Sequence, residues 1–308
     1  MNIIFMGTPD FAVPCLQKLH DMGQNVVGVF SQPDKPKGRH GVLTAPPVKQ
    51  LALSLGYSVF QPASLKTGEA ADIISSLNPD LIVVTAYGKI LPGNILEMPK
   101  FGCVNIHASL LPNLRGAAPI QWSIINGLSV TGVTAMQMDE GLDTGDIILQ
   151  KECVIDIDDN SETLFEKLSV LGAKALEDAI HLIERGEVKR KKQDDKNSSY
   201  APVLSKDNSI IDWSLTALQV HNLIRGLNPW PGAVSFIDGK KIKIIKACLS
   251  QAAGGKPGQI MEKNKKLVVS CGDGQCIEIL SIQPENKKVM ETSAFLNGTS
   301  FTDGCFQN

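Results

Sequence analysis

Leu81-Ile82-Val83-Val84-Thr85 is an unbroken apolar run of strand length between Asp80 and Ala86. A strand without polar alternation has no face to offer to water, which is the condition of a central strand in a parallel sheet. Working outward, Asn2–Met6 ends the same kind of run at Gly7, Val26–Phe30 supplies another, and Val104–Ile106 follows Gly102. Pro9-Asp10 opens a helical pattern with Phe11, Val13, Leu16 and Leu19 on its apolar side and Gly23 as its stop; a second helix is expected from Pro46 to Leu55, closed by Gly56. Strands and helices alternating at this size predict an α/β domain with a doubly wound, mostly parallel sheet. Ligands of such sheets bind outside the carboxyl ends of the strands. Gly7, the Tyr87-Gly88 turn and the segment after Ile106 therefore fall on the functional edge.

Ser161 to Glu184 reads as one long amphipathic helix, with Leu164, Phe165, Leu168, Leu171, Leu176, Ile180 and Ile183 on one side and Gly186 at its end. Eleven polar residues follow, from Lys189 to Ser199, and read as a linker. Beyond Ser205 the grammar changes. A helical stretch from Ser214 to Leu227 precedes short β-like pieces at 233–237, 241–247, 258–261, 267–270 and 276–282, the spacing of a small barrel or sandwich. The expected organisation is a domain over 1–187, a linker over 188–204 and a small C-terminal β-barrel domain, OB-like, over 205–308.

The 308 residues are 43% hydrophobic and 20% charged, enough apolar material for a buried core. No apolar run approaches the roughly 20 residues of a membrane span, and the N-terminal residues lack the basic start of a secretory signal. Seven scattered cysteines suit reduced thiols in a cytoplasm, and Cys271 and Cys276, without a second pair or nearby His, do not make a zinc site. The net charge of -2 hides an asymmetry: residues 1–185 carry 13 Lys+Arg against 20 Asp+Glu, and residues 186–308 carry 17 against 12. An acidic half joined to a basic half suggests a small-molecule site in the first and a polyanion on the second.

The densest constellation of reactive side chains is Asn105-Ile106-His107-Ala108-Ser109-Leu110-Leu111-Pro112, continuing through Arg115-Gly116-Ala117-Ala118-Pro119. Asn105 and His107 are two apart on an extended segment and so project from one face. An amide donor beside an imidazole suits acyl chemistry: the amide can hydrogen-bond a developing oxyanion, and the imidazole can move a proton near neutral pH. Asp139-Glu140-Gly141-Leu142-Asp143-Thr144-Gly145-Asp146 is a Gly-rich acidic turn that could bring a carboxylate to orient that imidazole. Its residues do not alternate as the ligands of a calcium loop do. Gly7-Thr8-Pro9 lacks the Gly-x-Gly-x-x-Gly turn of a dinucleotide site, which excludes a nicotinamide-dependent oxidoreductase.

The 105–120 segment closely resembles the signature of the 10-formyltetrahydrofolate-dependent formyltransferases, and Asp139 to Gly145 resembles that family's second motif. The resemblance extends through 7–11, 32–34, 86–92, 225–233 and 295–298, essentially the whole chain, and departs at Asn113-Leu114, where the family carries a basic residue and Trp. It implies Asn105, His107 and Asp143 as the catalytic trio. It implies a folate site made by Ser109, Leu110, Leu111 and Pro112 with Tyr87, Gly88, Ile90, Leu91, Asp139 and Leu142. The co-substrate implied is 10-formyltetrahydrofolate, with no metal, and the acceptor is the α-amine of initiator methionyl-tRNA. Arg39 matches a tRNA-contacting insertion. Lys35 and Lys37 on the same loop, with Lys189, Arg190, Lys191 and Lys192 in the linker, would grip phosphates. A cytoplasmic monomer is expected. Formyl transfer to a sugar amine or to glycinamide ribonucleotide uses the same trio; the basic second half and the 34–41 loop favour tRNA. A catalytically idle RNA-binding module would keep the positive surface without needing the trio.

Overall fold

The structure is a computed structural model and describes residues 1–37, 41–263, 265–298 and 304–307. Contacts divide the chain into two compact units, one of residues 1–116, 130–154 and 165–200, the other of residues 117–129, 155–164 and 201–308.

The first unit contains β1 (Asn2–Gly7), β2 (Asn25–Phe30), the hairpin β3 (Lys35–Lys37) and β4 (Val42–Thr44), β5 (Val59–Phe60), β6 (Leu81–Thr85), β7 (Cys103–His107), the short β8 (Arg115–Gly116), β9 (Val130–Gln137) and β10 (Ile147–Val154). Its helices are α1 (Val13–Asp21), α2 (Pro47–Ser54), α3 (Gly68–Ser76) and α4 (Gly93–Leu96). Seven strands form one sheet in the order β10-β9-β7-β6-β1-β2-β5. β1, β2, β5, β6 and β7 are parallel, whereas β9 runs antiparallel to both β7 and β10. All five residues of β6 are buried, as a strand covered on both faces must be. Ile4, Met6, Phe30, Ile74, Ile82 and Tyr87 belong to one core cluster of this unit.

The long helix expected from residue 161 is α6 (Ser161–Arg185), which follows α5 (Pro119–Ile125) in the chain. Gly172 lets it approach the sheet: a Cβ there would lie 3.3 Å from Ile106 Cγ2 of β7. The polar stretch after α6 is more than a linker. Lys191 exchanges two backbone hydrogen bonds with Ile147, at 2.8 and 2.9 Å, so this strap is paired to the first residue of β10.

The second unit follows β11 (Tyr200–Ala201) with α7 (Ala217–Gly226), β12 (Ala233–Ile237), β13 (Lys240–Ser250), β14 (Ile260–Lys263), β15 (Lys266–Ser270), β16 (Cys276–Pro284), β17 (Met290–Glu291) and α8 (Thr292–Phe295). Thr216 and Gln219 close a capping box at the start of α7, satisfying N–H groups that the helix leaves unpaired. Asp238 and Gly239, both at positive φ, make the tight turn between β12 and β13. The sheet is antiparallel, in the order β12-β13-β16-β15-β14 with β17 on β16. It curls. The segment 304–307 bridges both ends of that order, Cys305 to Gln259 beside β14 and Gln307 to Phe236 of β12. Phe306 of the same segment stacks on buried Trp213, ring centroids 5.4 Å apart. The Trp213 indole N–H donates to Ser235 Oγ at 2.9 Å, and that hydroxyl donates to Gln307 O at 2.8 Å.

Candidate active site

Asn105 and His107 lie within β7, two residues apart and so on one face. β7 lies between β6 and β9, with Asn105 opposite Val84 on one side and Met136 on the other. Asn105 is partly exposed and His107 is buried. His107 Nε2 is 3.0 Å from Leu114 O. A carbonyl oxygen only accepts, so Nε2 carries the hydrogen and Nδ1 is left as the nitrogen that can take up a proton. Nδ1 faces Asp143 Oδ2 at 3.7 Å, beyond hydrogen-bond length. The carboxylate is fixed independently, because Gly116 N–H donates to the same oxygen at 2.8 Å. An imidazole anchored by a backbone carbonyl thus stands beside a carboxylate anchored by a backbone amide.

The chain between these anchors is held by partners that carry no local sequence signature. Ser109 Oγ donates to Asn113 O at 2.6 Å. Thr134 Oγ1, on β9, donates to Ser109 O at 2.7 Å and accepts from Leu111 N–H at 3.1 Å. Gln150 Nε2, on β10, donates to Leu111 O at 2.9 Å. At the departure Asn113-Leu114 the contribution to the trio comes from the backbone: Leu114, at φ 58°, turns its carbonyl to His107, while its side chain is buried.

The acidic segment 139–146 connects β9 to β10, an antiparallel pair that the apolar run 134–138 alone did not reveal. Asp139 Oδ1 accepts from Gly141 N–H at 3.1 Å and from Thr144 Oγ1 at 2.7 Å, so this carboxylate shapes its own turn. Asp143 sits at φ 54°. Gly145 is required by contact, since a Cβ there would meet Gln137 O at 1.8 Å. Gln193, from the strap, donates through Nε2 to both Asp143 O and Gly145 O at 2.8 Å.

Tyr87, Leu91 and Leu111 are buried, the first two in the core cluster with Met6 and Phe30, and Leu111 in a smaller cluster with Met136 and Ile147. Burial pushes the Tyr87 phenol up to about 12. The Tyr87 carbonyl accepts from Thr8 Oγ1 and from Gln32 Nε2, both at 3.0 Å, which sets the following turn at Gly88. In contrast, Ile90 is 72% exposed and Leu142 52%. Their loops are neighbours, because a Cβ on Gly93 would lie 2.5 Å from Glu140 Oε1. Two exposed apolar side chains thus stand on adjoining loops. Ser109, Leu110 and Pro112 continue directly from β7, with Ser109 buried and the other two partly exposed.

Lys35 is exposed on β3, whose base is fixed by Lys49: its Nζ lies 2.9 Å from both Asp34 carboxylate oxygens. That hydrogen-bonding Lys49, helped by Gln61, lowers the Asp34 pKa. Lys37 ends the strand, and Arg39 lies outside the described residues. Lys189, Arg190, Lys191 and Lys192 are all exposed on the strap. Among the described residues no group of His, Cys, Asp and Glu side chains is placed to hold a metal, and no helix is long and apolar enough to cross a membrane.

The family model "Formyl transferase" matches residues 1–180, and "Formyl transferase, C-terminal domain" matches residues 203–300. The chain belongs to the formyl transferase family. More narrowly, it is 48% identical to the methionyl-tRNA formyltransferase of Geotalea uraniireducens over 99% of this chain and 97% of that one. It is 47% identical to the methionyl-tRNA formyltransferase of Ruminiclostridium cellulolyticum over 99% and 98%. Among solved structures, the sugar 3N-formyltransferase WlaRD, crystallised with dTDP and 5-N-formyl-THF, is 25% identical with a TM-score of 0.69, covering 94% of this chain and 99% of that one. An N-formyltransferase from Helicobacter canadensis shares the fold, with a TM-score of 0.71 at 22% identity over 92% and 99%.

Proposed function

We infer that this chain transfers the formyl group of 10-formyltetrahydrofolate to the α-amine of methionine esterified to initiator tRNA, the step that prepares this tRNA for translation initiation. The observation that carries the reading is Asp143 Oδ2 at 3.7 Å from His107 Nδ1, with Asn105 two residues before His107 on the same face of β7, in a chain of the formyl transferase family. The folate supplies a formyl carbon bonded to N10. As the neutral amine attacks that carbon, the formyl oxygen gains negative charge. The Asn105 amide, and the His107 imidazole once Nδ1 is protonated, donate to that oxygen. Such a donor is worth about 3 kcal/mol of barrier. One proton leaves the amine and one reaches N10 as the C–N10 bond breaks; His107, balanced by Asp143, is the group that holds it between the two.

Ile90 and Leu142 flank the pteridine, with Ser109–Pro112 beside the formyl group and the backbone of Tyr87, Gly88 and Leu91 completing the wall. A folate analogue at a hundred times its Kd stabilises the native state by about 2.7 kcal/mol. Leu142→Asp and Ile90→Asp should abolish the resulting rise in Tm and leave the ligand-free Tm unchanged, because both side chains are exposed. A full rise in both variants would move the pteridine elsewhere.

Residues 1–187 form the catalytic domain and 205–308 the domain that attracts tRNA. The protein acts as a cytoplasmic monomer. Lys35, Lys37 and Arg39 position the acceptor end, and Lys189–Lys192 add general attraction. Neutralising Lys189, Arg190, Lys191 and Lys192 together should reduce the slope of log K against log salt by about one for each phosphate that these side chains neutralise. Arg39→Ala should raise the tRNA KM or lower kcat without altering folate affinity. Unchanged tRNA binding in both variants across a salt series would place the nucleic acid on another face. The deciding assay offers purified protein 10-formyltetrahydrofolate with methionyl initiator tRNA, methionyl elongator tRNA, or an amino sugar nucleotide. Formylation of the first is expected, and formylation of the sugar alone would overturn the reading.

A further inference from the structure

We propose that Gln193, on the basic strap after α6, is a positioning residue for Asp143: its side-chain amide joins the Asp143 loop to Arg115, the neighbour of the amide that holds the Asp143 carboxylate. The proposal rests on the formyl-transfer reading above. Gln193 Nε2 donates to Asp143 O and Gly145 O, both at 2.8 Å. Its Oε1 accepts from Arg115 Nε at 3.1 Å and from Arg115 Nη2 at 2.9 Å. A primary amide has two N–H donors and two lone pairs, and here all four are used. Gly116, next to Arg115, donates the 2.8 Å hydrogen bond that holds the Asp143 carboxylate. Gln193 therefore grips both sides of that one contact, the backbone carrying the acceptor and the residue beside the donor.

The strap is itself anchored. Lys191 pairs with Ile147, four residues after Asp143, so Gln193 reaches the loop from a fixed backbone. Arg115 is held by the strap a second time, the same Nη2 lying 2.7 Å from Asp195 Oδ1. Asp143 adopts φ 54°, which is disfavoured for a residue with a Cβ, and the amide bonded to its carbonyl helps to select that conformation. An ordinary loop tether would affect stability alone. A tether that sets the Asp143 carboxylate against His107 affects the chemical step, where a displacement of about 1 Å costs on the order of a hundredfold.

Gln193→Glu keeps an acceptor for Arg115 and removes both donors to the Asp143 loop; Gln193→Ala removes everything. Both variants should lower kcat by about 10- to 100-fold with the KM of each substrate within about threefold. Gln193→Asn, which retains the amide on a shorter stem, should recover part of the loss. In an Asp143→Asn background, Gln193→Ala should cost less than about threefold, because the group it positions is already disabled. Hydrogen exchange of residues 139–146 should quicken in Gln193→Ala while that of β1 stays as in wild type. An unchanged kcat, or the same loss of kcat in the Asp143→Asn background as in wild type, would overturn the proposal alone. Wild-type protein that formylates no acceptor amine would overturn the functional reading and this proposal with it.

Discussion

His107→Ala should lower the single-turnover rate of formyl transfer by about a hundred- to ten-thousandfold, the range for loss of a positioned proton-transfer group. The same substitution removes the donor to Leu114 O in a buried setting. An unpaired buried carbonyl costs about 1–3 kcal/mol, so a fall in Tm accompanies the kinetic loss and must be kept apart from it. Folate-analogue binding measured at a temperature well below the transition provides that separation: it should persist, because Ile90 and Leu142 are untouched. His107→Ala combined with Asp143→Ala should cost little more than either alone if the imidazole and carboxylate act as a unit. A folded His107→Ala protein turning over near the wild-type rate would remove the imidazole from the mechanism.

Gly145→Ala should be almost as damaging, and for a reason without any chemistry of its own. The new Cβ would be 1.8 Å from Gln137 O and 2.9 Å from its carbonyl carbon, and the backbone of β9 cannot yield as a flexible side chain could. The loop must shift, and Gly145 O, Asp143 O and the Asp143 carboxylate shift with it. Overpacking of this kind costs about 1–3 kcal/mol of stability, and displacement of the carboxylate should reduce kcat by about a hundredfold. Gly186→Ala is a useful control. Its φ is 66° but a Cβ there meets no atom within 4 Å, so it should lose some stability and no activity. Equal kinetics for the two variants would show that the Asp143 loop tolerates displacement.

The parallel strands were legible because burial on both faces leaves a continuous apolar run, as in Leu81–Thr85. Asn105 and His107 were legible because a period of two needs no tertiary information. β10 was not, since its sequence Ile147-Ile148-Leu149-Gln150-Lys151-Glu152-Cys153-Val154 goes from buried to alternating exposure and carries charge mid-strand. That irregular pattern also conceals that the acidic motif joins an antiparallel pair. Thr134, Gln150 and Gln193 were invisible for a related reason: each acts through hydrogen bonds to residues between 16 and 78 positions away. In the polar run 189–199, composition reports solvation correctly and is blind to the backbone pairing of Lys191 with Ile147. Tyr87 and Leu91 lie with their side chains in the core cluster of the first unit, and that burial is what their place beside an apolar strand predicts.

The curled C-terminal sheet has a kinetic consequence. Its ends are joined through residues 304–307, and the hydrogen bond between Ser235 and Gln307 spans 72 positions. Pairings of such separation form slowly, after hairpins such as β12–β13 whose strands are joined by a tight turn. While Phe306 has yet to reach Trp213, the strands at both ends of the sheet offer unpaired N–H and C=O groups, a template for another chain. Refolding should therefore have a vulnerable interval whose length is set by four residues. Its yield should fall with protein concentration, and a variant that docks the segment less well, such as Phe306→Ala, should lengthen the interval far from any catalytic group.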